Sequence, residues 1–236
     1  MTLTLPSAVL EFNEPAGLNP RGTVILLTGR GEAAGVYERF GRRISVDSWR
    51  VRVVDTTLDV AETTATVEAL LADETLPSPK VIIGSDAGAA VAASFAAVNP
   101  AGLDGLVLVG LPTRSNQVAA GEEDVLRSAC PVHRRTLDDA SLIEPGALAH
   151  ALPDGLTLPA ASAIRVPVLA IHGDSDPVVP QKRALEYYHA VPEIDLVSVR
   201  GGRHDVLNDV SHRSVAATIV LFLERLKAGG RVVESL

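Results

Sequence analysis

The chain has 236 residues, 47% of them hydrophobic and 21% charged, with a formal net charge of −8 and an isoelectric point near 5.2. That apolar content supplies a large core and excludes a disordered chain, while the acidic balance excludes nucleic acid and anionic membrane as partners held by general electrostatic attraction. The single Cys130 excludes an internal disulfide, and the sparse Cys and His, with no C-x-x-C and no H-E-x-x-H, imply neither a metal nor any other cofactor.

The opening stretch, MTLTLPSAVLEFNEP, carries neither a basic region nor a long apolar run, so a cytoplasmic, reducing location is expected. Residues Leu3 to Phe12 suit an antiparallel edge hairpin. Thereafter short β-branched apolar runs alternate with segments of helical period, the pattern of parallel βαβ units. Strands are predicted at Thr23 to Thr28, Val51 to Asp55, Val81 to Ser85, Gly105 to Gly110, Val166 to His172 and Ile194 to Arg200. Each reads as apolar on both faces, as a sheet covered on both sides by helices requires. Helices are predicted at Val36 to Asp47, Glu62 to Asp73, Ala87 to Val98, Gln181 to Ala190 and Ser211 to Lys227. The expected fold class is α/β, one domain over 1–236 with a mostly parallel, doubly wound sheet.

The stretch from Leu111 to Ser162 breaks the rhythm and is rich in Pro, Asp, Glu, Arg and His. A loop of that length is unusual without structure of its own, so a small helical cap is expected over about 112–162. Its Arg114, Arg127, His133, Arg134 and Arg135 read as a solvated helix face, with the binding of an anionic group as the alternative. No apolar run approaches the roughly 18 residues of a membrane span.

The sharpest local feature is Gly84-Ser85-Asp86-Ala87-Gly88, which follows the apolar run Val81 to Ile83 and opens an Ala-rich helix. Small flanking residues permit a strained strand-to-helix turn whose central side chain projects above the sheet. That central residue is Asp86. Ser85 sits one position early and points back along the strand. A Gly-rich turn with Asp86 as a helix N-cap would give the same string. Two later features favour the catalytic reading. His172-Gly173-Asp174-Ser175-Asp176-Pro177 closes a buried strand with Asp176, and Asp174 beside it, able to accept a proton from a histidine ring. Gly201-Gly202-Arg203-His204 then puts His204 on a loop after the last strand, whereas His133, His150, His189 and His212 read as structural or solvated. The order is nucleophile, acid, histidine.

These features, with Leu27-Thr28-Gly29-Arg30-Gly31-Glu32 and Tyr37, resemble the α/β-hydrolase superfamily, in particular its lysophospholipase and monoglyceride-lipase group. The resemblance covers most of the chain. It implies an α/β-hydrolase fold, a catalytic set of Asp86, Asp176 and His204, and an oxyanion hole formed by the backbone amides of Arg30 and Ala87. Thr28 stands where the family has histidine, and Asp86 where most members have serine. An Asp nucleophile resembles the haloalkane dehalogenase and epoxide hydrolase branches, which also need cap tyrosines or a tryptophan beside the nucleophile. Here Tyr37, Tyr187, Tyr188 and Trp49 all lie outside the insertion, and Ala87 follows the elbow.

The expected function is hydrolysis of a small hydrophobic substrate, with Asp86 as nucleophile or base, His204 as base and Asp176 as its orienting acid. The alternative is a non-hydrolytic member that binds a small ligand. The expected partner is therefore a small molecule, and a homodimer stays open.

Overall fold

The computed structural model describes residues 9–57, 59–98, 101–113, 123–152 and 156–233. A seven-stranded sheet runs through the centre: β1 (Leu10–Phe12), β2 (Gly22–Leu27), β3 (Trp49–Val54), β4 (Lys80–Ser85), β5 (Gly105–Val109), β6 (Val168–Gly173) and β7 (Ile194–Val199). Their order in space is β1-β3-β2-β4-β5-β6-β7. All neighbouring pairs are parallel except β1 with β3, where Leu10 faces Val53. An antiparallel edge strand is present in β1, and residues 3–8 of the anticipated hairpin lie outside the described residues.

The two-residue period of the strands sorts one set of side chains to each face. Ile25, Leu27, Ile82, Leu106, Leu108, Val168 and Ala170 pack beneath α2 (Val60–Ala72), α3 (Ala87–Val98) and α6 (Gln181–Tyr188). Val24, Leu26, Val51, Val53, Ile83, Val107, Val109, Leu169 and Ile171 pack beneath α1 (Glu38–Ser45) and α7 (His212–Ala228). Each of the fully buried Val, Leu and Ile side chains contributes roughly 1.5–3 kcal/mol relative to exposure. β7 departs from the two-sided apolar pattern. It is an edge strand, and Leu196 and Ser198 are exposed along it because only one neighbour shields it.

Between β5 and β6 the described residues form α4 (Glu123–Arg127), α5 (Pro131–Leu137) and 3-10 turns at Ala147–Ala149 and Ala161–Ala163, joined by turns and irregular backbone. This insertion docks on the loop after β2: Glu32 bridges to Ile143, and the Glu144 amide donates to Gly31 O at 2.7 Å. Among the described residues no helix is long and apolar enough to cross a membrane.

Candidate active site

Three loops at the C-terminal ends of the parallel strands meet at Asp86. The residue sits between β4 and α3 with φ +48°, a left-handed backbone that L side chains rarely adopt, and its amide is anchored on Val109 O at 3.0 Å. The elbow needs small neighbours because α3 starts hard against β2. A Cβ on Gly88 would lie 2.4 Å from Leu27 O. The side chain of Asp86 is thus forced upward into the site, where it is 1% exposed.

Asp176 follows β6, and its Oδ1 accepts the amides of Val178 at 2.8 Å and Val179 at 2.9 Å. This Asx-type turn fixes the carboxylate before any histidine arrives. Its Oδ2 lies 2.9 Å from His204 Nδ1 and 3.3 Å from His172 Nε2. Asp174 instead braces its own turn, accepting from Ser175 Oγ and from the Gly201 amide. Ser85 is buried against Tyr37.

His204 is delivered by the loop after β7, which crosses the end of β6 so closely that a Cβ on Gly173 would lie 2.1 Å from Gly202 O. Its Nε2 stands 3.2 Å from Asp86 Oδ1, an ion-pair distance whose direction falls short of hydrogen-bond geometry. The imidazole therefore lies between two carboxylates, and all three residues are buried. Burial acts to lower the His204 pKa, but the charges of Asp176 and Asp86 override it and push the ring up to about 10. Burial likewise opposes ionisation of Asp86 and of Asp176. For Asp86 the positive charges of Arg30 and His204 prevail, and for Asp176 the charge of His204 and the hydrogen bond from His172, so both carboxyls are held below the usual carboxylate range.

The feature that sequence reasoning missed is the side chain of Arg30. Its backbone amide, expected from the resemblance to serve an oxyanion hole, donates to Asp86 Oδ2 at 3.1 Å. The guanidinium adds a two-pronged clamp, Nε to Oδ2 at 2.7 Å and Nη2 to Oδ1 at 3.0 Å. Its third nitrogen, Nη1, donates to Leu148 O at 3.4 Å and His150 O at 2.8 Å, tying the site to the insertion. Ala87 opens α3 directly after the elbow and is buried; helix first-turn amides of this kind have no intrahelical acceptor. Thr28 takes up a different task from a histidine, its Oγ1 accepting the Thr56 amide at 2.9 Å.

Under this layer lies a second buried charge network, and it corrects the reading of the insertion as a solvated face. Arg127 and His133 are buried, because both are drawn inward by acids. Arg127 Nη1 lies 3.2 Å from Glu32 Oε1 and 3.7 Å from Asp205 Oδ1, Nη2 donates to Glu123 and to Arg30 O at 2.7 Å each, and His133 Nε2 lies 3.1 Å from Asp205 Oδ2. Arg134 is half-exposed and pairs with Asp124, Arg135 is exposed, and Arg114 lies outside the described residues. Glu32, His133 and Asp205 each bring one ligand atom within 4.8 Å of the others. Arg127 already pairs with two members of that cluster, Glu32 and Asp205.

Comparison with known proteins sets this geometry in context. No family model and no curated protein matches the chain. Among solved structures it is similar to a monoacylglycerol lipase from Paleococcus ferrophilus, at 16% identity and a TM-score of 0.75, covering 95% of this chain and 99% of that one. It is also similar to a soluble variant of monoglyceride lipase from Saccharomyces cerevisiae, at 14% identity and a TM-score of 0.73, covering 92% and 91% of the two chains. The fold is the α/β-hydrolase fold. A thermophilic esterase from Thermogutta terrifontis shares it at 18% identity and a TM-score of 0.69, covering 93% of this chain and 94% of the esterase.

Proposed function

We propose that the chain is a hydrolase of a small, largely apolar substrate, with Asp86 as the reacting group, His204 as the base for water and Asp176 as its orienting acid. The observation that carries this reading is the position of His204, 2.9 Å from Asp176 and 3.2 Å from Asp86, assembled from three separate loops. Held far below the usual carboxylate pKa, Asp86 is a feeble proton acceptor, so a covalent role suits it better than that of a general base.

In the first step an Asp86 carboxylate oxygen forms a bond to an electrophilic carbon, and the leaving group departs with the electron pair of the bond that breaks. The product is an alkyl ester of Asp86. Attack on a carboxylic ester would instead give an anhydride, which disfavours simple ester substrates. Esterification removes one of the two charges that keep the proton on His204, so the imidazolium gives that proton to solvent or to a leaving alkoxide. Neutral His204 then takes a proton from water as the water oxygen bonds to the Asp86 acyl carbon. The tetrahedral oxyanion faces the amides of Arg30 and Ala87, and such donors each contribute roughly 3 kcal/mol in serine hydrolases. Collapse breaks the acyl carbon–oxygen bond, and the alcohol leaves with the proton from His204.

Single-turnover reaction in ¹⁸O water tests this. The label is expected in the Asp86 carboxylate; turnover with no label there would exclude the covalent route. A second reading, a non-hydrolytic member that binds a small ligand, is favoured by the clamp of Arg30 on both Asp86 oxygens. It prevails if esters, epoxides and haloalkanes all go unprocessed while ligand binding survives Asp86→Asn and His204→Ala.

A further inference from the structure

Resting on the hydrolase reading, we infer that Arg30 is a carboxylate receptor, and that the substrate carries its own carboxylate, which displaces Asp86 from the guanidinium and thereby frees it to react.

The argument begins with what the clamp prevents. Both Asp86 oxygens are engaged by Arg30, in a pair whose side chains are 6% and 1% exposed. A carboxylate in that state is bound through both oxygens, and moving Arg30 aside strands a buried cation. Stranding one member of a buried pair is among the more expensive events in a protein interior. A neutral substrate offers nothing to offset it. A carboxylate on the substrate does, because the planar fork of arginine accepts any carboxylate in the same two-pronged geometry that Asp86 now uses. The exchange keeps the number of charge-assisted hydrogen bonds on Arg30 constant.

The surroundings fit such an exchange. Arg30 Nη1 stays anchored on His150 O at 2.8 Å, so the guanidinium can tilt without leaving the site, and the His150 side chain is 60% exposed, which puts the fork close under the surface of the insertion. Asp86 is not stripped when the side chain departs. The Arg30 amide still donates to Oδ2 at 3.1 Å, and His204 still balances its charge at 3.2 Å. Arg127 holds Arg30 O at 2.7 Å, which fixes the backbone while the side chain moves. The chemical class is a small apolar acid with a leaving group or epoxide next to its carboxylate.

Two measurements test it. Formate is titrated into wild type, Asp86→Ala and Asp86→Ala/Arg30→Gln by calorimetry, with formamide and chloride as controls. Removing the internal competitor should tighten formate binding about 100-fold over wild type, and removing Arg30 as well should abolish it. Should the stranded Arg30 leave Asp86→Ala poorly folded, formate is expected to raise its Tm well beyond any rise in wild type, with formamide inert. Separately, wild type is assayed on chloroacetate against chloroacetamide and on glycidate against glycidamide. The acid of each pair should show kcat/KM about 100-fold above its amide. Absence of formate binding or rescue in Asp86→Ala overturns the receptor whatever the turnover. Equal turnover of acid and amide overturns the substrate class and leaves the hydrolase reading standing. Formate binding with no turnover of any pair supports the receptor and overturns this substrate class, while the hydrolase reading falls only if the wider panel of esters, epoxides and haloalkanes also goes unprocessed.

Discussion

Asp86 and Asp176 lie on either side of His204, both buried, yet they are held by different means. Asp176 rests on peptide N–H groups of its own turn, Val178 and Val179, which cannot leave without unravelling the chain around them. Asp86 accepts one peptide N–H, that of Arg30, and otherwise rests on the guanidinium of the same residue, which begins 56 residues earlier and reaches it along a rotatable stem. Backbone donors make one end permanent, and a side-chain donor makes the other exchangeable. An orienting acid needs the first arrangement and a reacting carboxylate the second.

Asp176→Asn puts the largest strain on this contrast. The amide keeps the shape but removes the charge and permits the wrong ring tautomer, and in Ser-His-Asp triads the equivalent change lowers turnover about 10⁴-fold. A fall of that order in kcat, with KM little changed, is expected in steady-state kinetics on a substrate of the wild type. A drop of less than about tenfold would mean that Asp176 does not orient the base.

The exchangeable end gives a smaller effect, read in stability. Asp86→Leu strands Arg30 in the interior and should cost about 3–5 kcal/mol in urea unfolding, whereas Asp86→Leu/Arg30→Met should recover most of it, since replacing both members of a buried pair with apolar groups is often near neutral. If the double variant were no more stable than the single one, the cost would lie with His204 and the carbonyls of Leu148 and His150 and not with the clamp, and the contrast with Asp176 would lose its basis.

The same contrast explains what was legible in the sequence. Strand and helix positions follow from local periodicity, which is why α3 spans Ala87–Val98 as predicted and the other elements shift by only a few residues. The Asp176 turn was readable because its donors are contiguous with it, and the elbow because its small residues are. The pairing of Arg30 with Asp86 left no local trace: it depends on β2 and β4 lying side by side, and an arginine in a Gly-rich loop reads equally well as solvated. The inward turn of Arg127 and His133 was hidden for the same reason, since their acids Glu32 and Asp205 come from the loops after β2 and β7, far apart in the chain. A paired count of charges on the helices and the loops they could face would have been the one available signal.

The smallest expected effect concerns a third buried carboxyl, Glu32, which accepts both a peptide N–H, from Gly29 at 3.0 Å, and the Arg127 guanidinium at 3.2 Å. Burial first, and then the charge of Asp205, push Glu32 up to about 8, with Arg127 and Tyr37 opposing only in part, so it keeps its proton at pH 7. A carboxyl whose pKa is raised on folding stabilises the fold fully below its ordinary value of 4.5, and that stabilisation is lost as the pH rises through about 8. His204, raised from 6.5 to about 10, stabilises fully below 6.5 and loses its contribution as the pH rises through about 10. Wild-type stability should therefore fall from pH 5 to pH 10 in two overlapping steps. Glu32→Gln mimics the protonated acid, so at pH 7 it should change stability by less than about 1 kcal/mol and remove the lower step alone. Urea midpoints measured at half-unit intervals separate the two. A Gln variant that kept the lower step, or lost several kcal/mol at pH 7, would place a charged Glu32 on Arg127 and make it a second fixed carboxylate like Asp176.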